Sequence, residues 1–440
     1  MDAAAGARAV THRRMLALAL PATLAQMTTP LLGLVATGAI GRLGDAVLLG
    51  AVAVGALLFD VVFWVFGALR MGTAGLTAQA LGRGDGTEMR ATLARALLIA
   101  FAIGLALIVL HVPLGRGLFA LMGASAAVNE AAFAYFSTRI WAAPFAIANF
   151  VLLGWLVGIA RTDIGLALQV CIALVNAGLT ALLVLYWDFG IVGAAAANLL
   201  AEVSGTAAGL FMAARVLHGG WRVPWGRVLD RARLVRTVAV NGDIMVRTGL
   251  LMLVLMFFTA QGARADDVTL AANAVLYNIV MVTAFFLDGF STAAEQMCGQ
   301  SVGARDRAAF DRSVRLILIW GFGFAVPCGL LLQFSGGQLI DLLAANEAVR
   351  AAARAFLPMA ALAPLIGVAA FAYDGIYAGA TWSRDMRNLM LPAVAVFFAT
   401  WWVTRPLGNA GLWGAYLAFL GSRGVFQALR MPALVRLTFR

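Results

Sequence analysis

The sequence predicts an all-α integral membrane protein of about twelve transmembrane helices, arranged as two parallel six-helix repeats. Three observations carry this. Of its 440 residues, 62% are hydrophobic and only 12% charged, with a mean hydropathy of +0.91. A water-soluble chain of this length needs far more charge to cover its surface. Apolar stretches of at least ~18 residues recur along the whole length, as a bilayer core of roughly 30 Å requires of a spanning helix. Finally, three motifs recur ungapped at one offset of 221 positions, the distance from Gly158 to Gly379. Alternating ten-residue strands are absent, which argues against a transmembrane barrel.

The first six spans fall at roughly 15–38, 46–70, 92–115, 131–158, 164–187 and 191–215. The second six fall at roughly 237–260, 268–292, 310–333, 351–379, 386–404 and 410–432. The run from Met15 to Ile40 is too long for a signal-peptide core and has no convincing cleavage site, so it reads as the first span. The longest break, His218 to Arg236, is polar, arginine-rich and holds Pro224. It divides the chain into an N-terminal lobe (1–217), a cytoplasmic linker (218–236) and a C-terminal lobe (237–440).

The repeats are Gly154-Trp-Leu-Val-Gly158 with Gly375-Ile-Tyr-Ala-Gly379, Gln79-Ala-Leu-Gly82 with Gln300-Ser-Val-Gly303, and Gly190-Ile-Val-Gly193 with Gly411-Leu-Trp-Gly414. An even number of spans per half makes the repeats parallel. Such duplication is typical of transporters that rock one lobe against the other around a central site. The small-xxx-small spacing in the first motif is expected to let helices approach closely.

The net charge of +11 comes from 32 arginines, with no lysine, gathered mostly in short loops. Those that bear on orientation are Arg83 and Arg90, the linker arginines, Arg305, Arg307 and Arg312, and Arg384 and Arg387. The alternate loops carry mainly acids, so both termini are expected in the cytoplasm of a multi-pass protein of the bacterial inner membrane. Nucleic acid is therefore not an expected partner. Cys171, Cys298 and Cys328 lack metal-ligand spacing and read as packing residues. No metal or cofactor is expected. No P-loop or complete set of nucleotide-binding motifs is present, which argues against ATP hydrolysis and against an enzyme.

Ionisable groups inside a bilayer are costly and so are functional candidates by default. Asp60 lies near the middle of span two and Glu202 near the middle of span six. Their offset partners are Met281 and Arg423, so the mid-depth acids belong to the first half. Asp60 and Glu202 are the proton-coupling candidates; the alternative is that they tie neighbouring helices together. A second group, Asp243, Arg247, Asp288, Glu295 and Asp374, falls at similar depth toward the cytoplasmic side. Asp243 and Arg247 share a helix face at i, i+4. The group reads as an inner gate or cation site, or as a permanent ion-pair network that fixes packing. Pro30 allows a bend in span one. Met27, Phe63 and Trp141 are aromatic or flexible apolar candidates for a cavity lining, against a plain packing or lipid-facing role.

At several blocks the chain resembles the multidrug and toxic compound extrusion family, in the branch named for DNA-damage-inducible protein F. The blocks are Thr29-Pro-Leu-Leu-Gly-Leu-Val-Ala-Thr-Gly-Ala-Ile-Gly41, Arg70-Met-Gly-Thr-Ala-Gly-Leu-Thr-Ala-Gln79, Asn241-Gly-Asp-Ile-Met-Val-Arg247 and Gly379-Ala-Thr-Trp-Ser-Arg-Asp-Met-Arg387. The resemblance implies two six-helix lobes forming a V-shaped cavity, alternating access, and efflux driven by protons or sodium. It also marks departures. Ala36 stands where the family's first-span motif has an aspartate, and Thr180, four residues after Asn176, where the fifth-span motif has another. Ala36, Asn176 and Thr180 thus join the cavity candidates.

The expected function is secondary active efflux of small amphipathic or cationic compounds, coupled to H+ with Na+ as the alternative ion. The expected partners are that small-molecule substrate and the lipid bilayer, and a monomer suffices. Rival readings are a flippase of lipid-linked sugars or exporter of an anionic metabolite on the same fold, and a non-transporting receptor or scaffold.

Overall fold

Hydrocarbon offers a backbone no hydrogen-bond partner, and a helix satisfies every peptide group within one segment. The computed structural model describes residues 10–41, 51, 55, 59, 63–122, 126–217 and 224–440; the side chains of 29–41, 118–122 and 126–128 lie outside that description. Among the described residues, nine segments are long and apolar enough to cross a membrane. The helices in the first part of the chain are α1 (His12–Gly41), α2 (Ala68–Gly82), α3 (Gly86–Met122), α4 (Ala126–Arg139), α5 (Ala143–Gly158), α6 (Thr162–Thr180) and α7 (Gly190–Val216). The short α8 (Trp225–Val228) precedes α9 (Arg231–Ala265), α10 (Asp267–Gly303), α11 (Arg307–Leu343), α12 (Glu347–Gly379), α13 (Ser383–Thr404) and α14 (Asn409–Thr438).

The expected second span, 46–70, lies largely outside the described residues. Elsewhere the helices overrun the apolar stretches that announced them. The stretch expected at 268–292 is a helix of 37 residues, because its polar end, with Glu295, Gln296 and Gln300, is buried in protein instead of leaving as a loop. The fourth span is interrupted by a 3-10 turn at Ile140–Ala142. Pro144, which has no N–H to give, stands at the start of α5. The fifth span ends in a π-helical segment, Ala181–Tyr186, directly after Thr180.

Helix starts are set by short acidic or amide side chains that accept orphan N–H groups. Asp85 accepts from the Glu88 amide at 3.0 Å and its repeat partner Asp306 from the Ala309 amide at 2.9 Å. Asn346 caps α12 through the amides of Ala348 and Val349. Asp266 caps α10, and the hydrogen bonds from the Thr269 hydroxyl and amide hold its carboxyl below the usual range.

The turns repeat as well. Gly84 and Arg305, 221 positions apart, both have positive φ (68° and 55°), as do Ala160 and Thr381 (63° and 56°). A side chain in this left-handed region costs about 1–2 kcal/mol, of which the freedom glycine loses on folding offsets part. Arg305→Gly, at an exposed turn, is therefore expected to raise stability by about 1 kcal/mol, read as a higher midpoint of thermal unfolding in detergent.

The chain forms two compact units. The first comprises Leu24–Thr77 and Asp85–Val238; the second comprises Met1–Thr23, Ala78–Gly84 and Ala239–Arg440. In the first, an alanine Cβ at Gly154 would stand 2.2 Å from the Arg70 carbonyl oxygen, so α5 and α2 touch backbone to backbone. In the second, Gly375 stands in the same relation to Ser291 at 2.1 Å, bringing α12 against α10. Arg70 and Ser291 are themselves 221 apart, so the duplication in sequence is a duplicated helix crossing in space. The small-xxx-small expectation is met in both units. The second unit also holds a core of Phe258, Leu276, Ile340, Leu357, Phe397, Trp413 and Phe419. The rings of Phe258 and Trp413 meet edge to face at 5.2 Å, a favourable aromatic geometry.

Candidate functional site

Each unit carries a buried polar cluster between its fourth and sixth spanning segments. In the first unit, Glu202 sits midway along the 27-residue α7. Asn149, 3% exposed on α5, donates through Nδ2 to Glu202 Oε2 at 2.7 Å and to the Glu202 carbonyl at 3.0 Å. Thr206, one turn beyond Glu202, donates within 3.2 Å of Asn149 Oδ1. Arg139, at the end of α4, acts on Glu202 electrostatically. Its guanidinium lies over the Phe59 ring at 4.1 Å and donates to the Tyr135 hydroxyl at 3.1 Å. The result is a mid-span carboxyl with a neutral hydrogen-bond donor and a cation in range, which can gain or lose a proton while Asn149 stays in place.

The other first-unit candidates are spread out. Asn176 and Thr180 lie on the buried face of α6 with Leu168 and Ile172, 2% and 0% exposed respectively. Among the described residues the Thr180 hydroxyl has no hydrogen-bond partner. Phe63 is buried and stacked on Phe59 with centroids 3.9 Å apart. Met27 on α1 is half-buried, and Trp141, in the 3-10 turn, is 55% exposed. Asp60 lies outside the described residues, as do the side chains of Pro30 and Ala36, where the α1 backbone is continuously helical.

In the second unit, Asp374 on α12 is the hub. Its Oδ2 accepts from Arg423 of α14 at 2.5 Å and from Arg247 of α9, and its Oδ1 accepts from Gln427 at 2.9 Å. All four side chains belong to residues at most 7% exposed. Asp288 acts on Arg247 electrostatically from α10. Glu295, on the same helix, is fully buried, and its carbonyl oxygen lies against Gly379. Asp243 belongs to a separate group. It does not pair with Arg247 one turn along; its carboxylate accepts from Arg387 at 2.6 Å and from the Ser383 hydroxyl at 3.0 Å, both on α13. The shared helix face therefore serves two different partners.

Asp374 and Arg247 are candidates from sequence, whereas Arg423 and Gln427 are not, Arg387 reads only as a loop cation, and Asn149 carries no signal. For Arg423 and Gln427 a signal exists, because Glu202 and Thr206 correspond to them at the 221 offset. The sixth spanning helix of each repeat thus offers the same two positions to a neighbour, acidic in one unit and basic in the other. Among the described residues no group of His, Cys, Asp and Glu is placed to hold a metal ion.

The sequence itself matches a known family. The MatE family model matches residues 21–182 and 244–402, well over half of the chain. The chain belongs to the MatE family. MatE proteins are transporters, and this multi-pass member is one of them rather than an enzyme. It is 36% identical over 420 residues to DNA damage-inducible protein F of Escherichia coli (strain K12), covering 93% of this chain and 90% of that protein. It is 24% identical over 425 residues to the probable multidrug resistance protein NorM of Rhizobium meliloti (strain 1021), covering 90% and 88%. Among solved structures, a crystal structure of MATE in the bent conformation superposes with a TM-score of 0.89 at 16% identity, covering 97% of each chain. A transporter from Pyrococcus furiosus gives 0.85 at 17% identity, covering 100% of this chain and 99% of that one. These likenesses establish the all-α MatE fold.

Proposed function

We propose that this MatE protein is a proton-coupled exporter of small amphipathic or cationic compounds, working by alternating access in the bacterial inner membrane with both termini in the cytoplasm. It acts as a monomer. The observation that supports this most is Glu202, a carboxyl at mid-span held by a neutral amide. An acid in that setting can load a proton from one side and release it to the other as access alternates. Asp60 is the second proposed carrier. Multidrug-resistance relatives support the cargo class.

The test is substrate-evoked proton movement in sodium-free proteoliposomes carrying an internal pH dye. Glu202→Gln keeps a side-chain oxygen for the Asn149 amide and is expected to leave the fold intact. It is expected to lower proton flux at least about tenfold, the usual range for losing a proton-transferring group being roughly 10²–10⁴. Wild-type flux in the variant would remove Glu202 from the mechanism, and flux that appears only with added sodium would replace the coupling ion.

A second reading is favoured by one observation. Arg247 and Arg423 place two buried guanidiniums in the second unit, a chemistry suited to carboxylate or phosphate. An anionic cargo would then evoke the flux, and organic cations would not.

A further inference from the structure

Near the start of α11, a cavity of about 440 Å³ is lined by His12, Asp311, Arg312, Arg315, Leu316 and Ile319. The apolar run from Leu316 to Phe334, at ~1.5 Å per residue, is long enough to fill a hydrocarbon core of roughly 30 Å. Arg312 and Arg315 therefore stand at the membrane–water boundary, with Trp320 about one turn inside it, where aromatic side chains concentrate. Asp311 leans to Arg307 at 3.7 Å. Among the described residues no acid lies within ion-pair distance of Arg312 or Arg315, and the one carboxylate in the lining, Asp311, is turned to Arg307.

His12 adds a donor. The Trp320 indole N–H donates to His12 Nδ1 at 2.9 Å, and a neutral ring that accepts at Nδ1 carries its hydrogen on Nε2. Below the cavity, Ile319, Phe322, Val326 and Leu330 continue the face of Arg312 and Arg315 at spacings of three and four residues, each at least 41% exposed. Two cations with no ion-pair partner among the described residues, above a continuous apolar stripe, complement an anionic head carrying an acyl chain. A zwitterionic head would bring its own ammonium against the arginines.

We propose that this cavity is a binding site for the headgroup of an anionic phospholipid, whose acyl chain lies along the exposed face of α11. The lining shares no residue with the Asp374 cluster of the same unit, and the proposal is independent of what the protein carries.

The test uses the purified full chain in mild detergent, titrated with phosphatidylglycerol and, in parallel, phosphatidylcholine, with bound lipid counted by native mass spectrometry. Wild type is expected to retain phosphatidylglycerol preferentially. Arg312→Gln with Arg315→Gln is expected to weaken that retention roughly thirtyfold, on a contribution of about fivefold per arginine near an anionic lipid surface. Arg436→Gln with Arg440→Gln removes the same charge from exposed positions elsewhere and is expected to change retention by less than about twofold. If the double variant fails to fold, Arg315→Gln alone carries the test at about fivefold. Equal retention of both lipids, or equal losses in both double variants, would overturn the site. So would protection from thermal unfolding by inorganic phosphate as large as that by the lipid.

Discussion

Gly375→Ala is expected to destabilise the second unit by about 3 kcal/mol or more, the upper range for forcing extra volume into a packed contact. The added methyl would lie 2.1 Å from the Ser291 carbonyl oxygen and 2.7 Å from its carbonyl carbon. Both are backbone atoms of α10, so no side chain can swing aside; the two helices must separate. Separation would also loosen the crossing at Gly379, one turn along, where an added Cβ would stand 2.4 Å from the Glu295 carbonyl oxygen. Gly154→Ala should do the same in the first unit, against Arg70. Gly249→Ala supplies the control, since an added Cβ there meets nothing within 4 Å. That change should be neutral or stabilising by up to about 1 kcal/mol through helix propensity. Thermal unfolding followed by monodisperse recovery in detergent measures all three. Equal midpoints for Gly375→Ala and Gly249→Ala would mean that the helices part at no cost.

The repeat explains why so much of the architecture is legible in the sequence. Glycines at 154, 158, 375 and 379 announced close crossings because only the smallest side chain tolerates a backbone there, and both crossings are present. Helix ends were less legible. Hydropathy marks where a chain is apolar, whereas α10 continues through Glu295, Gln296 and Gln300 because tertiary packing buries them. The π-helical segment after Thr180 has no hydropathy signature at all.

Charge pairing was the least legible feature. Helical spacing places Asp243 and Arg247 on one face, yet their partners come from α13 and α12, far along the chain. Local spacing says which face a group occupies; only the packing of that face against a neighbour says what it meets. Common depth groups Arg247 with Asp374, and the offset between Glu202 and Arg423 is the clue to the α14 side of that cluster, since equivalent helices present equivalent positions.

Asp374→Asn is the substitution with the largest expected cost, because it leaves Arg247 and Arg423 buried without their counter-charge. Removing one partner of a buried ion pair typically costs about 3–5 kcal/mol, far more than the net worth of the pair. The asparagine has one acceptor oxygen, so its NH2 must face either the Gln427 amide or the two guanidiniums, and hydrogen bonds are lost along with the charge. Arg423→Met in the same chain removes one stranded cation and should recover much of the stability, with a coupling of about 1–3 kcal/mol in the double-mutant cycle. Transport assayed on the double variant then separates two roles for the cluster. Both Asp374 oxygens are engaged, and every partner is at most 7% exposed, which favours a fixed tie between α9, α12 and α14. Recovery of the fold should therefore bring recovery of turnover. A double variant that folds as wild type but no longer transports would instead make Asp374 the latch of a gate that opens in every cycle.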